Sequence, residues 1–313
     1  MSSSPASAGK TQQDNTDQAS NHKLVVLAGG GDLPSQVIRA AANSFNDVLA
    51  ISIAGEASFT DLPGTVATER VEWGEVGRLM RMLDDFSATR LVIVGSISRR
   101  PDYRSLKLDW GALQLLPRIL GAVTSGGDAS LLDKVAGLFA ERGFELVGAH
   151  DVAPELVAID GQLAGPKVDA TLWDDVDKAA EAAWTAGHLD MGQGAVSVNG
   201  RLIAMEGAEG TDGMLQRVAQ MRAAGRFSSK GRSGALAKCT RPGQDLRLDM
   251  PAIGPRTIEN AAQAHLSAVA IEAGHVLISE KETTFDLCAS KGISVIGLPR
   301  ARFIPEGCED QRG

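Results

Sequence analysis

Short apolar runs that alternate with helical patterns constrain the fold of this chain most strongly. Residues 24–28 and 91–94 are wholly apolar, which is typical of strands that are buried on both faces of a parallel sheet. Apolar residues then recur at helical spacing in residues 73–85 and in a segment that begins at Asp128. Because strands and helices of this length alternate, we predict an α/β domain with a Rossmann-like parallel sheet at residues 23–153.

The rest of the chain predicts a second α/β domain that includes a hairpin. Residues 154–172 hold Pro, Gly and Asp without a clear period and are expected to form a linker. Asn199-Gly200 between two apolar runs is the strongest short-range hairpin signal. Other expected elements of this domain are helices at 174–186 (ended by Gly187), 211–221, 255–273 and 284–290, and strands at 247–249, 275–279 and 293–297, whereas a strand expected at 144–152 closes the N-terminal domain. The C-terminal domain is therefore a mixed α/β domain at 173–299, followed by a tail at 300–313.

Length, charge and cysteine content argue against several classes of protein. A chain of 313 residues is long enough for about two domains. Acidic residues outnumber basic ones by 39 to 31, which argues against a nucleic-acid binder because that function needs a basic face. The three cysteines form no CxxC pattern, so neither a zinc site nor a disulfide framework is suggested, and a reducing compartment fits. Residues 1–22 are polar and are expected to be a disordered tail, and no apolar run approaches the roughly 18 residues of a membrane span.

Three glycines, Gly29, Gly30 and Gly31, directly follow the first predicted strand. At this point a doubly wound sheet brings backbone N–H groups and a helix N-terminus to a phosphate. Pro34 stands where the last glycine of a dinucleotide fingerprint is expected, and no Walker GKS or GKT motif exists. Two interpretations stay open: a tight strand-to-helix turn, or a loop that faces a phosphate or a sugar.

Glycines alternate with carboxylates in the loop at residues 206–213, just before a predicted helix. Thr211 or Asp212 is the expected N-cap, and Glu206 and Glu209 are two further acids. Such a loop can supply oxygen ligands to Mg²⁺ or backbone donors to a phosphate. The alternative is a flexible capped loop without a ligand.

A basic stretch at residues 226–248 reverses the charge of the chain, with six basic residues, including Lys238, against the single acid Asp245. It indicates a mobile loop that grips an anion, or else a solvated basic loop.

Asp249 ends the strand predicted at 247–249. A carboxylate at the C-terminal end of such a strand points into the crevice where these folds bind ligands, and there it can hold a metal or orient a water. An isolated aspartate is also a common turn residue.

Taken together, these segments resemble the LpxI family over residues 23–297. The motifs that carry the resemblance, by their order and spacing, are LVVLAGGGDLP, GGDASLL, GFELVGAHD, DMGQGAVSVNG, EGTDGML, GALAK and LDMPAIGPRTI. The resemblance implies two α/β domains that enclose a lipid, and Mg²⁺-dependent hydrolysis of the pyrophosphate bond of UDP-2,3-diacylglucosamine in lipid A biosynthesis. The products would be 2,3-diacylglucosamine 1-phosphate (lipid X) and UMP. The resemblance further implies that water attacks the α-phosphorus and that the aspartate in the position of Asp249 is essential for catalysis.

Candidate site residues follow from the resemblance together with the residue patterns. Asp249 is assigned to the metal or its water, Lys238 to a phosphate oxygen, and the loop at 206–212 to the metal or the diphosphate. The candidate Mg²⁺ ligands are Asp249, Glu206 and Glu209, and the candidate substrate contacts are Gly29, Gly30, Gly31, Thr211, Asp212 and Lys238. The two acyl chains of the substrate imply a cytoplasmic, peripheral enzyme that touches the inner face of the inner membrane transiently.

Two other functions stay open at this point. An NAD(P)-dependent oxidoreductase would use the glycine turn and needs a ribose-binding acid about 20 residues further on, for which Glu56 is a loose fit. A non-catalytic nucleotide- or lipid-binding protein would bind the same ligand without turnover. The sequence does not define the oligomeric state.

Overall fold

A computed structural model describes residues 23–57, 59, 61–97, 108–112, 128–227, 231–305 and 307–308. The chain divides into two compact units, residues 1–148 and 149–313, which are described separately. The tail that we expect at residues 1–22 lies outside the described residues.

The N-terminal unit is built on a parallel sheet. Its described elements are β1 (Lys23–Ala28), α1 (Leu33–Ser44), β2 (Asp47–Ile53), β3 (Val66–Val71), α2 (Val76–Phe86), β4 (Arg90–Val94), α3 (Asp128–Ala140) and β5 (Glu145–Leu146). The strand order is β3-β2-β1-β4-β5, with every pair parallel. This order matches that of doubly wound nucleotide-binding folds and confirms the predicted parallel sheet.

The C-terminal unit is built on a mixed sheet. Its elements are α4 (Ala149–Val152), a 3₁₀ turn (Pro154–Leu156), β6 (Gly161–Ala164), α5 (Ala170–His188), β7 (Gly194–Val198), β8 (Arg201–Met205), α6 (Gly210–Ala223), β9 (Ala235–Lys238), β10 (Ala252–Ile253), α7 (Pro255–Gln263), β11 (Ala268–Glu272), β12 (Leu277–Ile278), α8 (Lys281–Lys291), β13 (Ser294–Leu298) and a 3₁₀ turn (Arg300–Arg302). Six strands form one sheet in the order β6-β13-β11-β9-β7-β8, and β10 and β12 form a small second sheet. The mixed α/β class is therefore confirmed.

Helices cover both faces of the six-stranded sheet. The alanine-rich helix α5 buries Val176, Ala180 and Trp184 against one face. The other face carries a second apolar cluster to which α6, α7 and α8 contribute, with Met214 and Ile258 among its fully buried side chains. Within the described ranges, no helix is both long enough and apolar enough to cross a membrane.

The predicted hairpin joins β7 to β8. Asn199 and Gly200 have φ angles of 53° and 72°, as a two-residue hairpin turn requires. The buried carboxylate of Asp175 on α5 accepts hydrogen bonds from Ser197 Oγ at 2.7 Å and from the amides of Asn199 and Gly200 at 2.9 and 2.8 Å. The turn is thus fixed by its own sequence and by the helix that covers it.

Three predicted elements are wrong in extent or type. The strand expected at 144–152 ends at Leu146, and helix α4 follows it. Residues 246–248 form a turn where a strand was expected at 247–249, because the carboxylate of Asp245 accepts hydrogen bonds from the amide and the guanidinium of Arg247. The helix expected at 255–273 ends at Gln263, where His265 takes a left-handed conformation with φ 54°, and strand β11 begins shortly after it.

Helix α5 also continues past its predicted end at Gly187. This glycine is buried inside the helix and lies against the chain at Arg241 and Pro242. A Cβ at position 187 would stand 3.3 Å from the Cα of Arg241. Gly187 therefore permits a close approach of two backbones rather than ending the helix.

The segments predicted as a linker and as a tail both contain ordered structure. Within 154–172, strand β6 pairs with β13 at the edge of the sheet. Within 300–313, Phe303 is fully buried in the cluster under α5. Apolar side chains flank the turns in both segments, and their burial joins these segments to the core.

Candidate functional site

Four of the residues selected from the sequence come together at one edge of the C-terminal sheet. Lys238 ends β9, and Glu206 follows the last residue of β8. Both strands are antiparallel to β7 between them, so their carboxyl ends meet at the same edge. Asp212 lies in the first turn of α6 and Asp249 in the loop before β10, and the charges of all three carboxylates act on the Lys238 ammonium.

Lys238 is the buried cation of this cluster. The residue is 8% exposed, and its Nζ donates a hydrogen bond to the carbonyl of Ala252 at 3.0 Å. Burial lowers the pKa of Lys238, whereas the charges of Glu206, Asp212 and Asp249 oppose that shift. The sequence assigned Lys238 to a mobile basic loop, but it belongs to a buried strand and faces acidic side chains.

Glu206 is a buried acid that two glycines enclose. It is 6% exposed, and its Oε2 accepts a hydrogen bond from Thr211 Oγ1 at 3.1 Å. A Cβ on Gly194 would lie 2.6 Å from that Oε2 atom, and one on Gly192 would lie 2.5 Å from the Glu206 carbonyl oxygen. Sequence reasoning missed this role of Gly192 and Gly194, which form the G-x-G of the DMGQGAVSVNG motif.

Asp212 connects helices α6 and α7. Its Oδ1 accepts a hydrogen bond from Asn260 Nδ2 at 2.8 Å, and its Oδ2 is paired with Arg256. The expected N-cap is wrong, because α6 begins at Gly210 and neither Thr211 nor Asp212 precedes it. Asp212 therefore contributes negative charge beside Lys238 with both oxygens already engaged.

Asp249 is held at one carboxylate oxygen. Its Oδ2 accepts hydrogen bonds from Gln244 Nε2 at 2.6 Å and from Arg241 Nη2 at 3.3 Å. Arg241 is itself fixed, since its Nη1 bonds Asp190 Oδ1 at 2.9 Å and its amide donates to Gln244 Oε1. Among the described residues no hydrogen bond to Oδ1 is found, and the side chain is 39% exposed. Sequence reasoning missed Gln244 and Asp190, because only the folded chain brings Gln244 to Asp249 and Asp190 to Arg241.

Glu209 has a different environment from the other candidate acids. Its Oε1 accepts a hydrogen bond from Arg217 Nη2 at 2.6 Å, and Arg217 also bonds the carbonyl of Met205. Backbone hydrogen bonding at Glu209 and the bond from Arg217 lower the pKa of this carboxyl. In the part of the chain that the structure describes, no three acidic, histidine or cysteine side chains are arranged to hold a metal ion. Glu206, Glu209 and Asp249 therefore do not form a ready-made metal site.

In the glycine turn of the N-terminal unit, the amides of Gly29 and Gly30 are bonded to carbonyls at or just after the end of β4. The amide of Gly29 donates to the Val94 carbonyl at 2.8 Å, and the amide of Gly30 donates to the Ser96 carbonyl at 2.6 Å. A Cβ on Gly29 would stand 2.6 Å from that Ser96 oxygen. These two glycines let the ends of β1 and β4 meet, which supports the tight-turn interpretation for them. Gly31 is exposed, with φ 94°.

An open cavity of about 600 Å³ lies elsewhere on the N-terminal unit, beside the edge strand β3. Phe59 and Leu62 contribute apolar surface to it, and Arg70 and Arg78 contribute charge. Both guanidinium groups are already paired with glutamates of the same unit. The cavity was not predicted, and its charges are balanced without a ligand.

Comparisons with known proteins match both units to one family. Residues 23–156 match the LpxI N-terminal domain, and residues 159–296 match the LpxI C-terminal domain. A protein of Caulobacter vibrioides named UDP-2,3-diacylglucosamine pyrophosphatase LpxI is 36% identical over 279 residues, which is 88% of this chain and 97% of that protein. These matches confirm the resemblance drawn from the motifs.

Proposed function

Because the chain belongs to the LpxI family, we propose that it hydrolyses the pyrophosphate bond of UDP-2,3-diacylglucosamine in lipid A synthesis, as the name of its Caulobacter relative states for that protein. The products are lipid X and UMP. The observation that carries the proposal is the cluster at the carboxyl ends of β8 and β9, where Asp249 lies within the electrostatic reach of a buried lysine. A site that cleaves a charged diphosphate needs fixed charges of both signs.

Asp249 is the group that we propose to act on the attacking water. Gln244 and Arg241 fix its Oδ2, so the carboxylate has a defined orientation and Oδ1 can accept a proton or a hydrogen bond from the water. The water then attacks the α-phosphorus of the substrate, and the phosphate of lipid X leaves with the electron pair of the broken P–O bond. Lys238 offsets the negative charge that Asp249, Glu206 and the diphosphate bring together.

These donors fit a divalent cation that takes only one or two of its ligands from the protein. Mg²⁺ is commonly bound by one or two carboxylates together with phosphate oxygens of the substrate, so the lack of three gathered ligands in the described residues is compatible with it. We propose Asp249 as the protein ligand, with Glu206, whose charge also acts on Lys238, as a second carboxylate. Glu209 is left out, because its carboxylate is engaged by Arg217. When bound, Mg²⁺ would neutralise charge on the diphosphate.

The central test is release of UMP from UDP-2,3-diacylglucosamine by the purified full-length protein, with and without EDTA. We expect release that EDTA abolishes and excess Mg²⁺ restores. Asp249→Asn preserves the shape of the side chain and should lower kcat by roughly 10²–10⁴-fold, the usual contribution of a general acid or base. Asp177→Asn, which alters an exposed aspartate on α5 that pairs with Arg302, is the matched control and should keep the wild-type rate.

Two outcomes would contradict the proposal. Absence of UMP release under any divalent cation would exclude the activity. A folded Asp249→Asn protein with the full rate would exclude the role of Asp249. Turnover of NAD(P)H, or tight substrate binding without turnover, would favour the two alternative functions.

The same proposal includes contact with a membrane, because the acyl chains of the substrate lie in the bilayer. We propose that the enzyme is cytoplasmic and touches the inner face of the inner membrane only while it exchanges lipid. Flotation with vesicles should recover more protein when they contain UDP-2,3-diacylglucosamine than when they lack it. Equal recovery would contradict this part of the proposal.

A further inference from the structure

Arg300 lies two residues after the last strand, β13, and its side chain reaches into the interior of the C-terminal unit. Its side chain is 17% exposed. The Nη1 atom donates hydrogen bonds to Glu272 Oε1 at 2.8 Å and to Thr240 Oγ1 at 3.3 Å. Arg300 lies beyond residue 296, where the match to the LpxI C-terminal domain ends.

Glu272 links Arg300 to the residues that follow strand β9. It ends β11, is 1% exposed, and accepts hydrogen bonds at Oε2 from both the amide and the hydroxyl of Thr240, at 2.8 and 2.7 Å. Thr240 is fully buried and lies two residues beyond Lys238. A buried carboxylate bonded by a guanidinium and by an amide is a strong, directional anchor. Glu272 and Arg300 therefore fix the chain at the point where it leaves β9.

The same turn of chain continues directly to the site. Arg241 follows Thr240, and its side chain and amide bond Asp249 and Gln244 respectively. Gln244 in turn donates to Asp249 Oδ2 at 2.6 Å. The contacts thus form an unbroken path from Arg300 through Glu272 and the 240–244 turn to the carboxylate of Asp249.

We propose that Arg300 is a positioning residue for the reaction, which holds the 240–244 turn in place through Glu272 and so sets the orientation of Asp249. This inference rests on the proposed function. The shell of hydrogen bonds behind a reacting group orients it without touching the substrate. A purely structural role would instead affect stability and leave the turnover of folded protein unchanged.

The test compares Arg300→Met, Arg300→Lys and the double variant Glu272→Gln/Arg300→Met. Arg300→Met alone leaves the buried carboxylate of Glu272 without the charge of Arg300, which can prevent folding. The double variant removes both charges and therefore avoids this cause of unfolding. We expect kcat of the double variant to fall roughly 10–100-fold, as for other residues behind a reacting group, with KM nearly unchanged. Arg300→Lys keeps a cation beside Glu272 and should restore most of that loss.

Arg302→Met is the matched control. Arg302 lies on the same 3₁₀ turn and contacts Asp177 and Trp173 rather than Glu272, so its replacement should affect stability without a change in kcat. Equal kcat for the wild type and the folded double variant would overturn the inference. So would a fall in kcat for Arg302→Met as large as that for the double variant.

Hydrogen exchange separates failure of this inference from failure of the proposed function. The amides of Leu248 and Asp249 bond the carbonyl of Asp245 and report the order of the loop without any substrate. We expect faster exchange at these amides in the double variant than in the wild type or in Arg302→Met. Unchanged exchange would overturn the positioning role, whereas absence of UMP release by the wild-type protein would contradict only the proposed function.

Discussion

Replacing Lys238 by methionine should destabilise the C-terminal unit, and a second replacement, Glu206→Gln, should reverse part of the loss. Lys238 and Glu206 are 8% and 6% exposed. Of the three carboxylates that raise the pKa of Lys238 against the effect of burial, Glu206 has the largest effect. Removal of the cation therefore leaves a buried carboxylate without its main counter-charge. Methionine has a similar length and fills the space of the lysine stem, so the change is mainly one of charge.

The expected magnitudes follow from the burial of both partners. Lys238→Met should lower the free energy of unfolding by about 1–3 kcal/mol, because the carbonyl of Ala252 loses its donor and the buried carboxylate of Glu206 loses a nearby positive charge. The double variant has no buried carboxylate at position 206, and its loss should be smaller than that of Lys238→Met alone. The resulting coupling energy between the two positions should be about 0.5–1 kcal/mol, the lower part of the range for interacting residues, because no direct ion pair joins these two described residues. Both single variants and the double variant should also have reduced kcat.

Urea unfolding followed by tryptophan fluorescence measures these energies. The background should carry Trp73→Phe and Trp110→Phe, so that the signal comes from Trp173 and Trp184 on α5. This choice restricts the signal to one unit, since a chain of two units need not unfold in a single step. Additive losses in the double variant, or Lys238→Met with wild-type stability, would refute the electrostatic account of the cluster.

Two further predictions concern stability and reactivity. Asp175→Ala should lower the free energy of unfolding by about 1.5–3 kcal/mol, because the buried hydroxyl of Ser197 and the amides of the exposed turn residues Asn199 and Gly200 lose a charged acceptor. In the same urea assay Asp177→Ala, on the exposed side of α5, should change it little, and equal effects would contradict the role of Asp175. Cys308 is exposed, whereas Cys239 and Cys288 are buried, and burial raises the pKa of Cys288 to about 11. A thiol reagent at pH 8 should therefore label one cysteine in the native protein and three in urea, and rapid labelling of all three without denaturant would show that the buried thiols are accessible.

The parts of the fold that the sequence predicted well are those that local patterns specify. The wholly apolar strand at 91–94 and the Asn199-Gly200 turn carry their signal within a few residues. Strand β9 was missed because Ala235–Lys238 is short, rich in alanine and bounded by basic and glycine-rich stretches. The strand at 247–249 was predicted as one element in a series of alternating strands and helices, but the pairing of Arg247 with Asp245 closes a turn there.

The candidate site also contains residues that could be selected from the sequence and contacts that could not. Glu206, Lys238 and Asp249 were selected for their residue type and place in motifs, and the structure gathers them with Asp212 in one electrostatic cluster. Glu209 was selected on the same grounds, but its carboxylate is bound to Arg217. The supporting contacts depend on the order of strands in the sheet, which residue type and spacing alone do not specify.

The burial of Phe303 has a consequence for the order in which the chain folds during synthesis. The cluster under α5 lacks this side chain until residue 303 has been made, although most of its other members come from residues 168–298. The described strands of the N-terminal sheet, by contrast, come from residues 23–146, and domains generally fold as units as they emerge from the ribosome. We therefore expect nascent chains arrested before residue 303 to carry a folded N-terminal unit and a C-terminal unit that is still sensitive to protease.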